Sequence, residues 1–250
     1  MAIAAWKRLE KSAGYQQKKL FLKRLIGKEP RLKPDLRLHV VKDGGWRFHP
    51  DVLDADSVVY SLGIGEDVDF DLALIRRFGV HVHAFDPTPS SVDWLAARRM
   101  PPDFHFHPWA VTARDGVLKL YPRVKKDGSK CTVMYTLLAD KGSQDDAIVV
   151  PAFCLASIQA ELGHGRIDLL KMDIEGAEYE VLDNLLESAV KPVQLLVEFH
   201  HRFPGIGPGK TVEMIARLRG AGYRIFAISE TGREISFIRT GNAEHPHGEH

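Results

Sequence analysis

Residues 167–182 read Ile-Asp-Leu-Leu-Lys-Met-Asp-Ile-Glu-Gly-Ala-Glu-Tyr-Glu-Val-Leu, and this stretch constrains the fold more tightly than any other. Residues 169–172 form a short run, largely apolar, of the length expected for a buried parallel strand. The run ends in a carboxylate, Asp173, with a second at Glu175 and then Gly176, which permits a sharp turn. Ala177, Val181, Leu182 and Leu185 then repeat with helical spacing. Strand, acidic turn and helix in that order place charged groups in the crevice beyond the carboxyl ends of a parallel sheet, where open α/β folds bind ligands. Glu175 and Glu178 are expected in the first helical turn, where the helix dipole stabilises carboxylates. Asp173 lies at the strand end with no helix yet to cap, so it is read as functional.

A second strand–turn–helix unit lies upstream. The run 58–62 leads into Gly63-Ile64-Gly65-Glu66-Asp67, a helix is expected over 70–78, and the strand 81–85 ends in Asp86. Asp86 follows Gly65 by 21 residues, close to the spacing of about 20 between a glycine turn and an acid that accepts ribose hydroxyls. The third glycine of the dinucleotide pattern is missing. Glu66 and Asp67 would repel a pyrophosphate at that helix start. A cofactor with a ribose and cationic groups, S-adenosylmethionine, suits this turn better than NAD.

The rest of the chain reads as further α/β elements. Strands are expected at 104–111, 116–121, 148–150 and 192–201, helices at 90–99, 154–162 and 211–220, and hairpins at 38–48 and 223–238. Trp109 and Ala110, at the exit of the third strand, are candidates to flank an adenine. Residues 122–147 read as a polar loop and a candidate lid. Glu198 and His200 share a strand face by alternation and should lie near Asp173.

Charge is distributed unevenly. The formal net charge is +1, but residues 1–50 carry +9 and the remainder −8. A near-neutral total argues against a dedicated nucleic-acid binder, while a basic helix over 5–26 could make peripheral contact with a membrane surface or partner. Two cysteines, Cys131 and Cys154, have no metal-ligand spacing, and a reduced, cytoplasmic setting is the default. No apolar run has transmembrane length, and the first residues are too short for a signal-peptide core. The expected organisation is a basic arm and edge hairpin at 1–45, a catalytic domain at 46–240 and a frayed His-rich tail at 241–250. Nothing in the sequence specifies the oligomeric state.

The block at 169–178, with weaker likeness at 60–67, 84–87 and 198–200, resembles those of FkbM-family methyltransferases, over about residues 45–240. The resemblance implies a class I, Rossmann-like α/β fold: a seven-stranded, mostly parallel sheet with one antiparallel strand and helices on both faces. It also implies S-adenosylmethionine and transfer of a methyl group to a hydroxyl oxygen of a sugar, glycolipid or natural product, so that the acceptor is a small molecule or glycan. Many such enzymes have an acid where Ser61 stands; here Glu66, Asp67 or Asp173 would hold the methionine ammonium. His200 is the first choice of general base, since an unperturbed imidazole titrates near neutrality, with Asp173 second and Glu198 beside them. No metal is required on this reading. In catechol-type O-methyltransferases a divalent ion occupies the ends of these strands, and Asp173, Glu198 and His200 offer oxygen and nitrogen ligands, but their spacing is not diagnostic. Two rival readings are a non-catalytic module docking through its basic arm and an NAD-dependent oxidoreductase using Tyr121 and Lys125. Pro122 disfavours the helical turn that such a Tyr–Lys pair must share.

Overall fold

The structure is a computed structural model and describes residues 13–124, 130–136 and 147–242. Parts of the expected arm helix (5–12), of the candidate lid (125–129 and 137–146) and of the His-rich tail (243–250) lie outside the described residues, as does Lys125. The elements in chain order are α1 (Ala13–Leu25), β1 (Val41–Asp43), β2 (Trp46–Phe48), β3 (Val58–Leu62), α2 (Asp69–Phe78), β4 (His81–Phe85), α3 (Pro89–Ala96), β5 (Phe104–His107), β6 (Ala110–Val111) and β7 (Gly116–Val124). They continue with β8 (Lys130–Thr136), β9 (Ile148–Phe153), α4 (Leu155–Glu161), β10 (Leu169–Met172), α5 (Glu178–Glu187), β11 (Gln194–Glu198), α6 (Gly207–Gly220), β12 (Tyr223–Ile228) and β13 (Glu234–Arg239).

Seven strands form one sheet in the order β12-β13-β11-β10-β3-β4-β5. The five from β5 to β11 are parallel, and β13 runs antiparallel to both β11 and β12. This is the Rossmann-like α/β sheet with one reversed strand. Alternation along the strands divides the core. Tyr60, Leu62, Leu170, Met172, Leu195 and Val197 face α4, α5 and α6, while Val59, Val82, Ala84, Leu169 and Leu196 face α2 and α3. The chain winds outward from β3 to β5, then returns to lay β10 against the other side of β3. The crevice at the carboxyl ends of β3 and β10 is therefore the topological switch point.

A second sheet, β6-β9-β7-β8, grows from the exit of β5. It corrects the expectation of a continuous loop over 122–147: β7 extends to Val124 and β8 occupies Lys130–Thr136. The run Thr-Val-Met-Tyr-Thr over 132–136 carries the β-branched and aromatic residues favoured in strands. Tyr121 lies in strand β7 and not in a helical turn.

The β1–β2 hairpin straddles the expected boundary at 45, and β2 packs against β11, β12 and β13. The arm is anchored through buried Glu29, which meets His201 Nε2 at 2.8 Å and Arg202 Nε at 2.5 Å. Burial opposes its ionisation, but these two partners outweigh it and hold the Glu29 carboxyl at about 2. No helix among the described residues is long and apolar enough to cross a membrane.

Candidate active site

The glycine turn is built by close packing of two chain segments. Gly63 leaves β3 with φ +72°, and a Cβ placed there would lie 1.7 Å from the Asp173 carbonyl oxygen. The ends of β3 and β10 therefore touch only because residue 63 has no side chain. The Gly63 N–H donates to Phe85 O at 2.9 Å, and Lys171 Nζ donates to Gly63 O at 3.1 Å. Lys171, buried in mid-strand, also lies 5.3 Å from the Trp46 ring centroid. Fully buried Asp71 lies close enough to feel its charge; burial nonetheless raises the Asp71 carboxyl above its ordinary range. Sequence reasoning passed over Lys171. The available signal was a lysine inside an otherwise apolar parallel-strand run, since a buried charge must be paired.

Gly65 donates its N–H to Asp86 Oδ2 at 2.9 Å, tying the turn to the end of β4. Asp86 Oδ1 accepts the Thr88 N–H at 2.9 Å and the Thr88 hydroxyl at 2.6 Å. A carboxylate has about four acceptor positions, and Asp86 commits three of them to the turn and to Thr88. Asp67 and Glu66 are both exposed at the rim, and Asp67 Oδ1 accepts the Asp69 N–H at 2.9 Å, bracing the start of α2.

The acidic turn differs from the expected helix start. Glu175 precedes α5 with φ +53° and is the non-glycine residue with positive φ among the described residues. It is 63% exposed at the side chain. Glu178, the first residue of α5, is fully buried. Its Oε1 collects the N–H groups of Ile174 and Gly176 at 3.3 and 3.1 Å and lies 2.6 Å from His200 Nδ1. One carboxylate thus braces the turn and orients an imidazole from beyond the end of β11.

His200 Nε2 points into the same cluster, 3.7 Å from Asp173, 3.8 Å from Glu175 and 4.0 Å from Glu198. Burial alone lowers an imidazole, but the Glu178 hydrogen bond and the surrounding carboxylates outweigh it and raise His200 to about 9. Burial raises Asp173 above its ordinary range, against Lys171 and His200. Burial, with Asp173 and Glu234, raises Glu198 to about 7, although Arg233 Nη1 lies 2.5 Å from its Oε1. The site therefore holds one histidinium among carboxyl groups, one of them poised near neutral pH.

Trp109 lies just past β5 and is half-buried, with ring contacts to His107 at 4.8 Å and Phe153 at 5.1 Å. Ala110 is buried in β6, where it pairs with Ala152 of β9. Behind the glycine turn, His83 Nδ1 lies 3.1 Å from His107 Nε2, and Tyr60 Oη lies 2.8 Å from His164 Nδ1.

The family model for the FkbM methyltransferase domain matches residues 60–225, spanning both turns, Asp86 and His200. The chain belongs to the FkbM methyltransferase family. This FkbM-family chain is 30% identical over 184 residues to probable methyltransferase-like protein 24 of Rattus norvegicus, an alignment covering 70% of this chain and 41% of the rat protein. It is 28% identical over 199 residues to the 31-O-demethyl-FK506 methyltransferase FkbM of Streptomyces tacrolimicus, covering 68% of this chain and 74% of that one. The chain thus spans about two fifths of the length of the rat relative. The crystal structure of methyltransferase FkbM from Methylobacillus flagellatus KT is similar with a TM-score of 0.45 and 12% identity, covering 74% of this chain and 44% of that one.

Proposed function

We propose that this FkbM-family chain is an S-adenosylmethionine-dependent O-methyltransferase acting on a hydroxyl of a sugar, glycolipid or natural product. The observation that carries this reading is the pairing, at one switch point, of the Gly63–Gly65 turn locked to Asp86 with the acidic turn locked to His200. The relative named for 31-O-demethyl-FK506 supports oxygen as the methylated atom.

When bound, the cofactor supplies an electrophilic methyl group on a sulfonium. On this reading Gly63 and Gly65 let backbone approach it, and Asp86 accepts one ribose hydroxyl. Glu66, Asp67 and Asp173 offer negative charge to its ammonium and sulfonium. Trp109 presents a ring to the adenine; Ala110 is buried, so its part is confined to its backbone.

An alcohol needs a base to become a competent nucleophile. His200 was the first choice from sequence, but its Nδ1 is committed to Glu178 and the surrounding carboxylates raise the metal-free imidazole to about 9, which makes it a poor proton acceptor at neutral pH. Glu198, raised to about 7, is better matched to accept the hydroxyl proton there. Asp173 orients the reactants, and His200 holds the carboxylates in register. Alignment of the two reactants is worth up to roughly 7–11 kcal/mol. The four-stranded sheet is the proposed wall of the acceptor pocket, because β8 reaches α3.

A second role is favoured by one observation. Phe21, Leu22, Leu25 and Ile26 on and just past α1 are 54–65% exposed, beside Lys18 and Lys19. Such a face suits peripheral contact with an anionic surface, and loss of vesicle pelleting on Phe21→Ser and Leu25→Ser would support it.

The main test is calorimetric titration with S-adenosylmethionine and its demethylated product, with NADH as control. Saturable binding of the first two, weakened in Asp86→Ala, supports the reading. Binding of NADH alone would transfer the site to redox chemistry.

A further inference from the structure

We propose that Asp173, Glu175 and His200 form a site for one divalent transition-metal ion of the Mn2+ or Zn2+ type. One ligand atom from each of the three lies within 4.8 Å of the others, as donors do when they surround one ion at about 2.0–2.2 Å. His200 is a separate observation, because it is not part of the acidic turn. Its side chain is 6% exposed, and its Nε2 faces Asp173 and Glu175 at 3.7 and 3.8 Å. Those separations are too long for hydrogen bonds and match two ligands on a shared ion, which would displace the Nε2 proton that His200 carries in the metal-free chain.

The outer partner is also present. His200 Nδ1 is committed to Glu178 at 2.6 Å, the carboxylate–imidazole arrangement that fixes the tautomer and aims the other nitrogen at a metal. Glu178 is itself held by the N–H groups of Ile174 and Gly176. The turn that carries two ligands therefore also positions the third. Two carboxylates with one imidazole suit borderline divalent ions better than Ca2+, which takes oxygen ligands, or Cu(I), which prefers thiolates. Glu198, which the sequence offered beside Asp173 and His200 without a diagnostic spacing, is bonded to Arg233 and stands outside the set. Glu175 is 63% and Asp173 32% exposed, so the ion would keep open positions facing the crevice.

The consequence for catalysis rests on the methyltransferase reading above. An acceptor hydroxyl bound at an open position would have its pKa lowered; its proton would pass to Glu198 as its oxygen takes the methyl group from the sulfonium, the S–CH3 electron pair returning to sulfur in the departing thioether.

The probe is Mn2+ alone, titrated into the EDTA-stripped full chain and followed by the electron paramagnetic resonance of the free ion. We expect one ion per chain, with affinity reduced by roughly 10- to 100-fold in Glu178→Gln and by at least about as much in Glu175→Gln. Glu175 is an exposed turn residue, so its variant reports binding even where Glu178→Gln compromises folding. Exposed Glu161→Gln serves as a control and leaves the affinity unchanged. Equal affinity in wild type, Glu175→Gln and His200→Ala overturns the site, as does no binding to wild type. A parallel titration of the metal-free chain with S-adenosylmethionine separates the two readings: cofactor binding without a Mn2+ site overturns the ion alone, and a Mn2+ site without cofactor binding overturns the methyltransferase reading alone.

Discussion

His200 Nδ1 and Glu178 Oε1 lie 2.6 Å apart, both inside the protein, joining the end of β11 to the first turn of α5. The pair makes stability pH-dependent with a definite sign. His200 is raised to about 9 from an unfolded value of about 6.5, so its contribution is fully present below about pH 6.5 and is lost as pH rises through about 9. Glu178→Gln should cost about 1.5–3 kcal/mol at pH 6 and much less at pH 9.5. Urea unfolding at the two pH values measures this in metal-free protein, and a penalty independent of pH would contradict the charge on His200.

Gly63 has no room for a side chain. Its φ of +72° is unfavourable for other residues, and an added Cβ would fall 1.7 Å from the Asp173 carbonyl oxygen. Backbone must move to admit it, so Gly63→Ala is expected to destabilise by at least about 1–2 kcal/mol and to open both turns at once. Thermal unfolding together with S-adenosylmethionine titration tests this. A variant that melts like wild type and binds normally would show that the strand ends separate at little cost.

The base assignment predicts a pH–rate profile. With Glu198 at about 7, kcat/KM should rise through about pH 7 and level above it, and Glu198→Gln should lower kcat by about 10²–10⁴-fold. Were His200 the base, the rise would continue to about pH 9. The two limbs are two units apart, well within the resolution of initial-rate measurements.

The histidines on β4 and β5 predict an opposite pH response. Burial, aided by neighbouring imidazoles, lowers His83 to about 3 and His107 to about 4. An unfolded chain takes up these protons near pH 6.5 and the folded chain resists, so stability falls as pH drops from about 6.5 towards 4. The limiting slope is about 1.4 kcal/mol per pH unit per group; partly exposed His107 contributes less because solvent screens it. His83→Phe should narrow the difference in unfolding free energy between pH 7 and pH 5.

The elements that follow local rules were legible from composition and spacing. The runs at 58–62, 81–85 and 169–172 are strands because short apolar segments between glycine and acidic turns are buried on both faces of a parallel sheet. Asp86 was found because a fixed strand–turn–helix length places it opposite Gly65. The stretch 130–136 was missed because polar flanks masked its β-branched run, and Glu175 was misplaced because helix periodicity does not mark where the first helical φ begins.

The sequence by itself determined the parallel α/β architecture, the two turns and the acids at the strand ends. Each of these depends on neighbours within a few residues, through backbone sterics and hydrophobic period. Tertiary structure alone decided the chemistry of the site. It placed Glu178 against His200 across 22 positions, set Lys171 beneath the Gly63 turn, and joined Glu198 to Arg233. Protonation depends on burial and on charges a few ångströms away, and those distances exist only once β10 and β11 are packed side by side.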